Sequence, residues 1–321
     1  MKKRFLKLMV LGLLACAGLV QAQDYPAKPI RIVAPFAPGG AVDILARIIA
    51  ERLGTAYGQN VIVDNKPGAS GHLGAQLVAK SPGDGYTLMV GTIGIHAAYK
   101  SYTKLTYDPA KELQPIMIIG ESPNLVLVPA NSRYKTFADF LADAKANPGK
   151  INYATAGAGS SVHMVTELFQ LAIAQRMNHV PYKGSGPALI DLISGQVDVM
   201  FDNFSSGLPQ VQGGKLRVLA VTGPKRDPRL PEVPTIAEAG VPGYSGTSWF
   251  TLAAPASMPA VLVAKLNRDV QKVLASPEVA ARYNQLGIEY TPNSPAEAAA
   301  YFKSETTKWN RVIEAAKLQL D

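Results

Sequence analysis

Cysteine is almost missing from this 321-residue sequence: Cys16 stands alone. That excludes a disulfide framework, a cysteine-ligated metal centre and thiol chemistry. Charged residues are sparse too, at 17% against 47% hydrophobic, the reverse of the balance that keeps a chain disordered. After the first 22 residues, no apolar run reaches the roughly 20 residues of a spanning helix. The four histidines, His72, His96, His163 and His179, show neither H-x-x-x-H nor H-E-x-x-H spacing, so no metal site is expected. There is no G-x-x-x-x-G-K-[ST], and Gly157 and Gly159 offer G-x-G without the third glycine of a dinucleotide fingerprint. G-x-S-x-G is also missing, which removes the nucleophile elbow. Ser160 and Ser161 lie near His163, but all three fall at one predicted helix start, where serine is a common cap. These absences predict a protein that is not an enzyme and has no cofactor.

What is present begins with an uneven charge. The net charge is +8, yet Lys2, Lys3, Arg4 and Lys7 crowd the first seven residues. An apolar run, Leu8–Val20, and the small-residue site Val20-Gln21-Ala22 follow. This is the pattern of an export signal at residues 1–22, cleaved after Ala22. Leu13-Leu14-Ala15-Cys16 leaves a lipoprotein-type signal as an alternative. Without the leader, 28 basic residues face 24 acidic ones. No basic stripe remains, so a nucleic-acid partner is not expected.

Short β-rich runs alternate with helical patterns, which predicts an α/β fold with mostly parallel sheets flanked by helices. Strands are expected at Ile30–Ala34, Val61–Asp64 and Thr87–Thr92. A helix bearing Ile44, Leu45, Ile48, Ile49 and Leu53 on one face should stop at Gly54. Ile116–Val128 reads as two β runs separated by Glu121-Ser122-Pro123-Asn124, the passage into a second α/β unit. That unit carries helices at Phe137–Ala146 and Val162–Gln175. Trp249–Ala253 reads as the way back. Ser294-Pro295-Ala296-Glu297 opens a terminal helix with a capping box. Two crossings predict one discontinuous lobe, residues 23–122 and 246–321, and a second lobe, residues 123–245, with a ligand cleft between them.

Five Gly/Ser loops sit after strands and before helices: Pro38-Gly39-Gly40, Ala69-Ser70-Gly71-His72, Gly91-Thr92-Ile93-Gly94, Ala156-Gly157-Ala158-Gly159-Ser160 and Lys183-Gly184-Ser185-Gly186. A helix start offers unpaired N–H groups and partial positive charge, glycine admits a ligand to the backbone, and serine or threonine adds a hydroxyl. Such loops suit a small anion; they also make ordinary βα turns. Phe36, between two prolines, is a candidate pocket wall. Asp43 and Arg47, spaced i,i+4, suggest an ion pair or a brace for the Gly39-Gly40 loop.

The stretch Pro29–Arg47, with Pro35-Phe36-Ala37-Pro38-Gly39-Gly40 at its centre, resembles the opening motif of the Bug family, the periplasmic receptors of tripartite tricarboxylate transporters. The resemblance continues in order through Asp64–Gly71, Ala156–His163, His179–Gly184, Val197–Asp202 and Pro234–Gly240. It implies a two-lobed Venus-flytrap fold of the type II periplasmic binding class and a monomer in the periplasm. It also implies capture of a di- or tricarboxylate, acidic amino acid or aromatic carboxylate for a membrane permease. A sensor of the same fold, signalling through a membrane kinase, is the alternative. The implied ligand-binding residues are Phe36, Gly39, Gly40, Ser70, Thr92, Ala156, Gly157, Gly159, Ser160, His163 and Asp202. Tyr99 stands where the family commonly has asparagine, so it is a candidate for the far end of the pocket.

Overall fold

The computed structural model describes residues 25–320. The expected leader, its cleavage after Ala22 and the lipid alternative at Cys16 lie outside the described residues. Three strands rich in β-branched residues each lead into a helix, the first two through a loop and the third directly. They are β1 (Ile30–Ala34) into α1 (Ala41–Tyr57), β2 (Val61–Asn65) into α2 (His72–Ala79), and β3 (Thr87–Thr92) into α3 (Ile93–His96). A short α4 (Pro109–Glu112) precedes the long β4 (Leu113–Pro129). Then follow α5 (Phe137–Ala146), β5 (Asn152–Thr155), α6 (Ser161–Ile173), β6 (Asn178–Pro181), α7 (Ser185–Ile193), β7 (Val199–Asn203), α8 (Phe204–Gln212) and β8 (Leu216–Val221). The chain returns through β9 (Thr247–Pro255) and ends in α9 (Ala260–Leu274), α10 (Pro277–Gln285) and α11 (Pro295–Ala316).

The strand order is β2-β1-β3-β9-β4-β7-β5-β6, with β8 also on β4. β1 pairs in parallel with β2 and β3, and β5 with β6 and β7, as the βα alternation predicts. β4 and β9 pair antiparallel with every neighbour, so the sheets are mixed. The buried apolar residues of the described chain fall into four clusters. Ile32, Leu45, Ile49, Leu252 and Leu266 belong to one that stays within the expected first lobe. Phe140, Tyr153, Phe169 and Phe201 belong to another that also takes in Ile93, Trp249 and Trp309.

Two local readings are corrected. α1 runs past Gly54 and closes at Gly58, whose φ is +63° and whose N–H returns to the Gly54 carbonyl. Gly54 is needed for a close approach instead: a side-chain carbon there would lie 3.2 Å from the Gln59 carbonyl oxygen of the returning chain. The two runs around Glu121–Asn124 are a single strand. Leu113–Pro123 pairs with β9, and Asn124–Pro129 with β7 and β8. Pro123 has no N–H to give a ladder, and it sits where the strand changes partners.

α11 begins as its sequence predicts. Ser294 Oγ accepts from Glu297 N at 3.2 Å, and the Glu297 carboxylate accepts from Ser294 N at 2.7 Å. Its Glu305 Oε2 takes the indole N–H groups of Trp249 and Trp309, each at 2.8 Å. Trp309 and Ile313 join the same core as Phe169, so the helix seals the second lobe as well as the returning strand.

Candidate functional site

Helix starts converge where the lobes meet. α1, α3, α6, α7 and α8 have Gly40, Thr92, Ser160, Gly184 and Asn203 as their N-caps. Of these, only Ser160 spends its side chain on capping, accepting from His163 N at 3.3 Å. Between them lies a narrow cavity of about 20 Å³. Phe36, Gly40, Val42, Thr92 and Phe250 wall it from the first lobe; Ala156, Ser160, Ser161, Ser185 and Asn203 wall it from the second. Among the described residues no lysine or arginine does so. The space is little more than one water requires, so an organic ligand needs the lobes to part.

Two polar atoms in this wall are conspicuous. Thr92 Oγ1 and Asn203 Oδ1 are buried, at 1% and 5% residue exposure, and neither has a hydrogen-bond partner. A buried polar atom left unpaired costs about 1–3 kcal/mol. Both residues line the same cavity, one from each lobe. The 590 Å³ groove between α1 and α10 is roomier, but its walls are ion-paired side chains such as Arg52 with Glu278.

The wall loops are held from behind. Asp43 Oδ2 accepts from Gly39 N at 3.1 Å and from Arg47 Nε at 3.1 Å, and Oδ1 accepts from Asn65 Nδ2 at 3.0 Å. Asp43 is therefore both ion pair and loop brace. Burial opposes its ionisation, but the bonds from Arg47, Gly39 and Asn65 outweigh this and hold the carboxyl below its usual range. In the second lobe, Gly159 N donates to His163 Nδ1 at 2.8 Å. The ring proton is thus on Nε2, which points at Glu167 Oε1, 3.4 Å away. Asp202, fully buried, accepts from Ser185 Oγ and Ser206 Oγ, each at 2.6 Å. Burial pushes its carboxyl up to about 6, against the pull of those hydroxyls.

Of the residues expected at the ligand, Phe36, Gly40, Thr92, Ala156 and Ser160 are in the wall. Gly39, Ser70, Gly157 and Gly159 are at the interlobe contact beside it. A side-chain carbon on Gly157 would come 2.6 Å from Ser70 Oγ, and one on Gly39 would lie 3.8 Å from Gly186 Cα. His163 and Asp202 do not reach the cavity. Both are committed to loop backbone or loop hydroxyls, so they orient the wall instead of forming it. Tyr99, in a 3₁₀ turn at Tyr99–Ser101, is not in the wall either. Sequence reasoning offered Ser185 only as part of a candidate anion loop and passed over Asn203 and Phe250. Ser185 was legible in its glycine-flanked loop. Asn203 and Phe250 carry no local signal, because only the lobe contact brings them to the cavity.

Comparison with known proteins identifies the family and the fold. Residues 45–318 match the profile of the tripartite tricarboxylate transporter family receptor. The chain is 33% identical to the protein BugT of Bordetella pertussis, over 98% of each chain. Rpa4515 from R. palustris, solved with adipate, superposes with a TM-score of 0.89 at 40% identity, covering 92% of this chain and 99% of its own. MatC from Rhodopseudomonas palustris, solved with bound malate, gives 0.85 at 34% identity, covering 90% of this chain and all of its own.

Proposed function

The chain belongs to the tripartite tricarboxylate transporter receptor family, and from that footing we propose that it is a periplasmic receptor that captures a small organic carboxylate between its lobes and delivers it to the family's membrane permease. The observation that carries the carboxylate reading is the wall itself. Helix starts from both lobes lead to one cavity, the unpaired Thr92 hydroxyl has a proton to donate there, and no lysine or arginine of the described residues lines it. A carboxylate satisfies such a wall through backbone N–H groups, hydroxyls and helix dipoles. Adipate in Rpa4515 and malate in MatC support the same class.

In this reading the lobes comprise residues 23–122 with 246–321, and 123–245. Phe36, Gly40, Thr92, Ala156, Ser160 and Asn203 meet the ligand. Gly39, Ser70, Gly157 and Gly159 let the loops come together, and His163 and Asp202 keep them oriented. Residues 1–22 direct export and are removed.

A thermal-shift screen against mono-, di- and tricarboxylates, adipate and malate included, tests the proposal. A ligand that binds only the folded protein raises Tm by mass action. A rise with carboxylates and none with their amides is expected. A rise with the amides alone overturns the carboxylate reading.

A further inference from the structure

The loop Ala156–Ser160 does two things at once. Its ends, Ala156 and Ser160, face the cavity, and its middle faces a different group of residues. The Tyr102 hydroxyl, from the first lobe, donates to the Ala158 carbonyl. Ser70 hydrogen-bonds the same hydroxyl from within its own lobe. Ser70 and its neighbour Ala69 hold φ values of +49° and +44°, which non-glycine residues seldom adopt. The Tyr102 ring packs edge-on to His72, with centroids 4.4 Å apart, which fixes its direction.

The end of the chain joins this contact. Leu320 N donates to the Ser101 carbonyl at 2.6 Å, and Thr103 N donates to the Leu320 carbonyl at 3.2 Å, so Leu320 is tied on both sides of Tyr102. A side-chain carbon on Gly159 would lie 2.8 Å from Leu320 Cδ1 and 2.8 Å from the Tyr102 hydroxyl. Gly159 has no room for one, and its φ of +81° suits glycine. From behind, the loop is bound to the C-terminal helix through a continuous chain of side chains. Gly159 N reaches His163, His163 faces Glu167, Glu167 accepts from Arg176 Nη1 at 2.5 Å, and Arg176 Nη2 donates to the Ala316 carbonyl at 3.0 Å.

We propose that Ser70, Tyr102 and Leu320 form a clasp that holds the lobes shut on the Ala156–Ser160 loop. The time a ligand stays bound is then set partly by residues that never touch it. Tyr102 is a positioning residue in this account. The clasp can form only when the lobes are together, so it slows release, and because it also shuts the ligand-free protein it lowers the open fraction that captures ligand. The proposal rests on the receptor reading only for its kinetic consequence.

The described chain has no cysteine, so spin labels can be placed cleanly at exposed Ile62 in the first lobe and Ile190 in the second. Pulsed electron–electron resonance on the ligand-free protein should show a short interlobe distance. Tyr102→Phe and Leu320→Ala should each shift population to a longer one. Tyr99→Phe, in the same turn but away from the loop, should not. A free protein with only the long distance, an unchanged distribution in Tyr102→Phe, or an equal shift in Tyr99→Phe overturns the clasp. If Tyr102→Phe fails to fold by circular dichroism, Ser70→Ala tests the same hydroxyl. With adipate as the probe, stopped-flow should show koff rising roughly threefold to tenfold in Tyr102→Phe, the effect of one neutral hydrogen bond, with kon rising as the open form of the free protein becomes more populated. A change confined to kon also overturns the proposal. Failure of adipate to bind the wild type counts against the carboxylate reading and leaves the free-protein distances to decide the clasp.

Discussion

Asp43 accepts the Gly39 N–H at 3.1 Å, so a side chain inside α1 holds the loop that leads into that helix. The same carboxylate takes Arg47 and Asn65, and Asn65 Nδ2 also reaches the Phe36 carbonyl at 3.1 Å. Asp43→Ala leaves the Gly39 donor and the Asn65 amide without that partner. It should cost about 1–3 kcal/mol in a urea titration and weaken ligand binding as Gly40 loses its orientation. Full retention of affinity by calorimetry refutes the brace.

Thr92→Val should separate stability from binding. The Thr92 hydroxyl is buried and unpaired, so a methyl of the same shape removes a desolvated polar atom. The free protein should unfold at equal or higher Tm, while affinity falls roughly tenfold, about 1.4 kcal/mol. A Thr92→Val protein that loses stability and keeps its affinity contradicts the assignment.

Gly40, Ser160 and Lys183 rank the sources of binding energy. Gly40 has φ −90° and ψ 170°, extended backbone that any residue adopts, so Gly40→Val acts by bulk alone. A side-chain carbon there already stands 3.4 Å from Ser185 Cβ across the cleft. Binding should weaken by more than about 100-fold, about 2.7 kcal/mol. Ser160→Ala should lose roughly tenfold, since its hydroxyl both lines the wall and caps α6. Lys183 is exposed and outside the wall, so Lys183→Ala should cost less than either. Calorimetry showing Lys183→Ala as the most damaging of the three would sink the backbone-and-hydroxyl account.

Stability should fall in acid. Burial holds His72, His96 and His179 down to about 4, 3 and 3, whereas the unfolded chain protonates them near 6.5. Between those limits the unfolded chain binds more protons, so stability drops as pH falls from about 6.5 toward 4. Asp202 works the other way. Its folded value of about 6 exceeds the ordinary 3.8, so its contribution is complete below about 4 and is lost as pH rises through 6. Three groups oppose one, and the urea midpoint at pH 5 should lie below that at pH 7. Asp202→Asn removes the opposing contribution and should steepen the acid loss; a shallower slope would count against it.

Much of the cavity wall was legible because its signals are local. Gly39-Gly40 and Ala156–Ser160 each follow a strand and open a helix, which depends on φ freedom and capping over a few residues. The same local reasoning failed at Gly54, where the deciding contact is with the returning chain at Gln59, and at Glu121–Asn124, where strand pairing overrides a turn-like composition. His163 and Asp202 lie at the expected loops with their side chains bonded to loop backbone and loop hydroxyls, a direction that sequence proximity does not reveal.

The sequence by itself determined the alternation of strands and helices, the capping box of α11 and the chemistry of the Gly/Ser loops. It also excluded cysteine chemistry and the nucleophile and nucleotide motifs. Each of these depends on composition or on residues within a turn or two of one another. Tertiary structure alone decided that β4 serves both lobes, that Thr92 and Asn203 are left without partners in one cavity, and that Tyr102 and Leu320 meet the loop at Gly159. Those outcomes depend on which distant segments displace water from each other, and hydrogen-bond satisfaction in a cleft is a property of the packed pair of lobes, not of either loop.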